Sequence, residues 1–286
     1  MKKIILIILV FLHIGSLCQA TSVTFTEDGT IDGGTYNDVT IMNTATVGMT
    51  AGAVDRMYVQ NLGTLNYYGG TIGQTELWDS STLNYYSGTI GQTELRDSAI
   101  LNLEGASFTG LKLFNSNMFN LNSGTFDGMF EMYEYSEINV NGGQVVSAQL
   151  QSFNFGTTDL YAGDVTWDGV DLHQYSVNNI YGGDITFNCY PWIDDNSKLN
   201  IYGGDITFTQ GFSLHDDAEI NVFYSSVIRH KPEDPYSLII GYNLLDSSEF
   251  MLDQFTQSEI DQINFVPEPT TLLLFGLGGL FLRKRS

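Results

Sequence analysis

The chain has 286 residues, and with 43% hydrophobic and 13% aromatic side chains it can bury a core, which argues against intrinsic disorder. Thirty-three acidic residues stand against eleven basic ones, a formal charge of −22. Five of the basic residues sit at the extreme ends, and residues 21–267 hold six basic against thirty-two acidic side chains, a surface that repels a phosphate backbone and argues against nucleic-acid binding.

Residues 1–20 read as a signal peptide. Lys2 and Lys3 form the charged region, Ile4 to Leu12 the apolar run, and Cys18-Gln19-Ala20 ends in the small residue that signal peptidase requires. Leu17 is bulkier than the small residue that precedes an acylated cysteine, which disfavours a lipoprotein reading of Cys18. Removal of this segment leaves Cys189 as the only cysteine, so no intramolecular disulfide is expected. Cys189 is expected to act as a small buried residue rather than as a reactive thiol.

Residues 21–222 read as a repeat. Leu65-Asn66-Tyr67-Tyr68-Gly69-Gly70-Thr71-Ile72 is followed by Leu83-Asn84-Tyr85-Tyr86-Ser87-Gly88-Thr89-Ile90, and the sequence GQTEL recurs at 73–77 and 91–95. Equivalent lines begin at Gly29, Val47, Leu101, Phe119, Ile138, Thr158, Asn178, Leu199 and Ile220, spaced by 18 residues five times and then by 19 to 21. Such a period, with strand-forming residues and no helical pattern, marks an all-β solenoid. Each line resolves into three short strands. In one, Leu199 and Ile201 alternate, Tyr202-Gly203-Gly204 turns, Ile206 and Phe208 alternate, Gln210-Gly211 turns, and Phe212 and Leu214 follow. Asp79-Ser80, Asp97-Ser98 and Asn115-Ser116 mark a further corner, with side chains suited to capping turn amides. The expected fold is a parallel β-helix of about ten coils, a rod about 50 Å long. A right-handed coil is favoured, because the small-residue signature of left-handed hexapeptide coils is not evident. Val23 and Phe25 within 21–28 open the first coil.

Three outward columns bear on function. Asn66, Asn84, Asn102, Asn120, Asn139, Asp159, Asn179, Asn200 and Asn221 align at one position; stacked amides can hydrogen-bond along the rod, and this scaffolding role is favoured over a ligand strip. Asp164, Asp184 and Asp205 should stack one coil apart, and an oxygen-rich ladder suits Ca²⁺. A second acidic gathering joins Asp194, Asp195, His215, Asp216 and Asp217, with Asp171 and His173 one coil earlier. Zinc is disfavoured there because His173 and His215 lie two coils apart. The glycine-rich nonapeptide of calcium-binding β-rolls is missing. Tyr161, Tyr181 and Tyr202 share a corner column that could stack sugar rings, or could simply stabilise the corner, which is the favoured reading. Trp167, Phe187 and Phe208 read as core.

Beyond Val222 the repeat is lost, and residues 223–265 read as a terminal cap. Pro232-Glu233-Asp234-Pro235 breaks the pattern, Tyr236 to Tyr242 forms a strand, Gly241-Tyr242-Asn243 turns, and Phe250 to Leu252 and Ile260 to Phe265 form further strands.

Residues 266–286 carry Pro267-Glu268-Pro269, an apolar stretch from Leu272 to Leu282, and the basic cluster Arg283-Lys284-Arg285. The stretch is shorter than the 20 or so residues of an ordinary spanning helix, and Gly276, Gly278 and Gly279 weaken it as a helix. This ordered combination resembles the PEP-CTERM sorting signal of Gram-negative bacteria. The resemblance implies that an exosortase-type membrane protease handles the chain during export, after signal peptidase has removed the N-terminal segment. It also implies that the C-terminal helix holds the chain in the inner membrane before release to the cell surface or extracellular matrix, much as a GPI tail is removed.

The expected role is structural or adhesive, without catalysis or a cofactor, with extracellular polysaccharide as a partner. The alternatives are a polysaccharide lyase or glycosidase and a calcium-dependent polysaccharide-binding module. An enzyme would require a base or paired carboxylates converging in a groove. Lys112 and Lys198 are the lone basic candidates in the coils, with no motif around them.

Overall fold

The computed structural model describes residues 21–233, 236–243, 249–255 and 261–267, with side chains for 21–224 and 261–266. Among these residues the chain is all strand and turn, wound into a three-sided parallel solenoid.

The first side is built from Gly29 to Ile31, Thr46 to Met49, Thr64–Tyr67, Thr82–Tyr85, Ile100 to Leu103, Met118 to Leu121, Glu137–Val140, Thr157–Leu160, Val177–Ile180, Lys198–Ile201 and Glu219 to Val222. Leu65 lies in register with Leu83 and Leu101, and the same column runs through Phe119, Ile138, Thr158, Asn178, Leu199 and Ile220. These eleven strands are the coil starts expected from the repeat. The second side includes Asp184–Phe187 and Asp205–Phe208, and the third includes Leu111–Leu113, Met129–Met132 and Trp192–Ile193. Thr21–Phe25 pairs with the third-side stretch up to Ile41, so the opening residues do start the first coil.

Alternation at period two gives each strand one inward and one outward face. Thr64–Tyr67 buries Leu65 and Tyr67 and leaves Thr64 and Asn66 partly exposed. Inward residues from three sides fill the lumen: Trp167, Phe187 and Phe208 are each 0% exposed, and the last two stack at 4.5 Å. Burying such a ring contributes roughly 2–3 kcal/mol, and the single continuous core is what makes the rod cohere. Tyr67 and Tyr85 are also fully buried. The Tyr67 hydroxyl donates to the Thr89 carbonyl at 3.0 Å and accepts from the Thr89 amide at 3.1 Å, while Tyr85 donates to the Gly88 carbonyl at 2.8 Å. Burial pushes the Tyr67 phenol up to about 12 and raises that of Tyr85.

Two corners have opposite solutions to left-handed backbone. The glycine corner includes Gly70, Gly88, Gly163, Gly183 and Gly204 at φ between +95° and +106°. At Gly183 a Cβ would stand 2.6 Å from the Gly163 carbonyl oxygen, so both dihedral and space demand glycine. The third-to-first corner places Asn43, Asn61, Asp79, Asp97, Asn115, Glu134, Asn154, Gln174, Asp195 and Asp216 at φ from +56° to +71°. Eight of the ten are Asn or Asp, whose short polar side chains suit that conformation because they bond locally. The Asp79 carboxylate accepts the Asn61 amide at 3.0 Å, and Asp97 accepts that of Asp79 at 3.4 Å, which is the capping expected at this corner.

The C-terminal part departs from the sequence reading. The strand Glu219–Glu233 continues through Pro232 instead of breaking there, and it pairs antiparallel with Tyr236–Asn243. Gly241-Tyr242-Asn243 is therefore strand and not a turn, because antiparallel pairing overrides the local turn preference. Glu249–Phe255 then lies antiparallel to that strand and parallel to Asp205–Phe208, covering the second side. Ile263–Pro267 lies parallel to Glu219–Glu233, with Ile263 opposite Ile220, and adds a twelfth strand to the first side. The exposed end of a solenoid is thus covered on two of its sides.

Candidate functional site

The outer face of the first side is the most regular surface. Each asparagine amide donates to the side-chain oxygen one coil earlier: Asn84 to Asn66, Asn102 to Asn84 and Asn120 to Asn102, all at 2.8 Å, then Asn139 to Asn120 at 3.1 Å. The series resumes with Asn179 to Asp159 at 2.7 Å, Asn200 to Asn179 at 2.8 Å, Asn221 to Asn200 at 3.0 Å and Asn264 to Asn221 at 3.1 Å. Asn264 extends the ladder beyond the expected column, a member that no local pattern marks because the cap strands separate it from Asn221. The amides spend their donors on one another, as in cross-β stacks.

Two residues further along each strand lies the corner column that begins with Tyr68 and Tyr86, stacked at 4.8 Å and 11°. Glu104, Asn122 and Asn141 interrupt the aromatics with a bonded polar run: Asn122 donates to Glu104 at 2.7 Å and Asn141 to Asn122 at 2.9 Å. Tyr161, Tyr181 and Tyr202 then stack at 4.9 Å, and Phe223 follows at 4.4 Å, all within 10° of parallel. The structure brings the three predicted tyrosines together as one column. Their ring faces cover one another, and the Tyr161 hydroxyl donates to Asp159 Oδ2 at 3.4 Å. Burial, then the nearby Asp159 charge, pushes the Tyr181 phenol up to about 12 and raises those of Tyr161 and Tyr202.

The third-to-first corner holds two aromatic stripes that sequence reasoning missed. On one side of the left-handed residues, Trp78, Arg96, Phe114, Tyr133, Phe153 and His173 form a continuous stack. The Arg96 guanidinium lies 4.8 Å from the Trp78 ring centre and 5.0 Å from that of Phe114, and the following ring contacts are 5.1, 5.4 and 5.0 Å. On the other side Tyr135, Phe155 and Tyr175 stack at 4.8 and 5.2 Å and are 62%, 45% and 55% exposed. The changing residue types hide the first stripe, and coil lengths growing past 18 residues hide the second.

Asp164, Asp184 and Asp205 are in register on adjacent coils and all exposed. Gln144 donates to Asp164 at 3.4 Å. His173, Asp194 and His215 fall on successive coils: His173 Nδ1 lies 2.8 Å from Asp194 Oδ1, Trp192 Nε1 donates to Asp194 Oδ2 at 3.1 Å, and His215 stacks on Trp192 at 4.2 Å. Among the described residues no three His, Cys, Asp or Glu side chains converge on one point.

The third side carries a groove of about 190 Å³ with Gly110 in its floor and Gln92, Met129, Glu94, Lys112 and Glu131 around it. Two carboxylates and a lysine do meet here, the arrangement an enzyme would use. Each is engaged, however: Lys112 with Glu131 at 2.9 Å and Glu94 with Arg96 at 2.7 Å. The bond to Glu131 raises the Lys112 pKa, so the amine stays protonated and is no base near neutrality. Lys198 is likewise bound to Glu219 at 2.9 Å, which lowers the carboxyl pKa of Glu219. Cys189 is half-buried, and burial pushes its thiol up to about 11, the behaviour of a packed rather than a reactive cysteine.

Pro267 ends the last strand, while Glu268, Pro269, Arg283, Lys284, Arg285, the apolar stretch and the N-terminal signal lie outside the described residues. Neither the curated proteins nor the solved structures yield a match to this chain. Residues 265–286 match the PEP-CTERM protein-sorting motif. That motif marks the chain as an exported protein sorted by an exosortase, and it leaves the activity of the solenoid open.

Proposed function

We propose that the solenoid is a rigid structural or adhesive rod of the cell surface or extracellular matrix, without catalysis. The observation that carries this reading is the coil-to-coil bonding along the outward columns, which in the amide ladder is broken only between Asn139 and Asp159. The amide ladder and the ring stacks bond coil to coil, so surface chemistry that a binding site would turn outward is turned along the rod axis. In this reading the apolar C-terminal stretch anchors the chain in the inner membrane until the exosortase removes it. Extracellular polysaccharide is the proposed neighbour, met through ring edges and hydroxyls rather than through ring faces.

The test is genetic. Cells lacking the chain are complemented with the full sequence or with a version ending at residue 266, and surface retention and matrix cohesion are scored. The proposal predicts that only the full sequence restores both. Unchanged cohesion in the deleted cells, or polysaccharide cleavage by the purified exported protein, would refute it.

A further inference from the structure

The sorting motif and the solenoid lay claim to the same residues. The motif matches from residue 265, yet Ile263–Pro267 is already a strand of the first side. Phe265, Val266 and Pro267 are in register with Val222, Phe223 and Tyr224, so the first three motif residues lie inside a paired strand. Two side chains of that strand turn inward: Ile263 is 7% exposed, and Phe265 packs against the core. On the outward face the Asn264 amide donates to Asn221 Oδ1 at 3.1 Å. Among the described residues the strand pairs with Glu219–Glu233 alone, so it can leave without disturbing the coils beneath it. Glu268, Pro269, Thr270 and Thr271 are all that separates Pro267 from the apolar stretch at Leu272, a span of at most about 18 Å. A membrane protease working on this segment therefore meets the folded end of the rod at close range.

We propose, on the sorting motif and independently of the role given to the rod, that the exosortase and the first side compete for residues 263–267. The docked strand withholds the motif, and cutting proceeds from the state in which that strand has peeled away. An extended peptide is recognised through its backbone edge and through pockets for alternate side chains. Phe265 cannot face the core and such a pocket at once. A cleft that encloses the chain also cannot close on a strand whose one edge is bonded to Glu219–Glu233. Completion of the solenoid end and release from the membrane are thereby set against each other. Where peeling is fast relative to cutting, the rate of cutting follows the peeled fraction.

The experiment is a pulse-chase of the full chain in cells that hold the exosortase, with precursor and product separated by size. Ile263 and Asn264 lie outside the matched residues, so changing them alters docking and leaves the motif intact. Ile263→Ser removes a buried apolar side chain and should raise the peeled fraction at least about tenfold. Asn264→Ala removes one amide bond and should raise it about fivefold. Both precursors should disappear several times faster than that of the wild type. Asn221 and Asn264 are in register on adjacent strands about 4.8 Å apart, a separation that a disulfide spans. The double variant Asn221→Cys with Asn264→Cys, once oxidised, should be cut at less than about a tenth of the wild-type rate and should recover in reductant. Each single cysteine variant should be cut at least as fast as the wild type, which separates the crosslink from a folding defect. An oxidised double variant cut at the wild-type rate would overturn the proposal. So would slower cutting of Ile263→Ser, which would mean that the docked strand presents the motif to the enzyme. Cutting in cells without the exosortase would instead overturn the assignment of the cut to that enzyme, and the competition with it.

Discussion

Asn178 offers a sharp test of how the lumen is packed. It is 0% exposed, and neither its Nδ2 nor its Oδ1 has a hydrogen-bond partner. It follows Thr158 and precedes Leu199 in the inward column. The Thr158 hydroxyl faces Met132 Sδ at 3.4 Å, and Met132 is in register with Ser152, so one coil on Asn178 faces Ser152, whose hydroxyl is also unpaired. An unpaired buried amide costs roughly 1–3 kcal/mol, and leucine at similar volume adds apolar burial. Asn178→Leu should therefore stabilise the protein by about 2–4 kcal/mol, a rise of about 5–15 °C in melting temperature for a chain of this size. Thermal and urea unfolding of the exported protein measure it, and Asn178→Asp should move both midpoints the opposite way. A fall in stability with leucine would mean that the amide is held by hydrogen bonds inside the core, and the reasoning would fail.

Other consequences are as direct. Gly183→Ala should cost about 2 kcal/mol or more, since φ +95° and the Gly163 carbonyl both oppose a Cβ, and urea midpoints would show it. Tyr67 and Tyr181 hold their protons to about pH 12, whereas an unfolded tyrosine ionises near 10, so the native state binds protons more tightly. Their contribution to stability is complete below pH 10 and should be lost as pH rises toward 12, with a shallower decline in Tyr67→Phe. Cys189 should resist alkylation at pH 8 in the native protein and react rapidly in denaturant. Arg96→Gln should cost about 1 kcal/mol and alter the near-ultraviolet dichroism of Trp78, because one guanidinium joins two rings and Glu94; an unchanged spectrum would count against a continuous stack.

The coils were legible because two adjacent lines of the repeat, from Leu65 and from Leu83, are near-identical. Leu65 and Leu83 set the inward column, Gly70 and Gly88 the corner, and Asn66 and Asn84 the outward ladder. Once fixed, that register carried through to Asn178 and Ile220 even as residue types drifted. The stripes at the third-to-first corner were not legible, since Trp78, Arg96, Phe114 and His173 share a geometry but no chemistry that a sequence pattern would group. The terminal strands were legible as strands, but their pairing was not. Pro232 reads as a breaker from its missing N–H, and the partner that makes it strand, Tyr236–Asn243 in antiparallel pairing, is not visible in the local pattern. The rung defect at Asp159 needed the direction of each amide bond, which composition does not contain.

The central claim is that the coils act as interchangeable structural units. It is tested most directly by excising residues 83–100, one complete turn whose removal preserves the register and takes Gln92 and Glu94 from the groove beside Lys112. The account predicts that the shortened protein is exported, folds cooperatively and restores matrix cohesion to cells lacking the full chain. A shortened protein that reaches the surface folded but leaves cohesion at the deleted level would contradict it, and would place the function in specific residues of that turn.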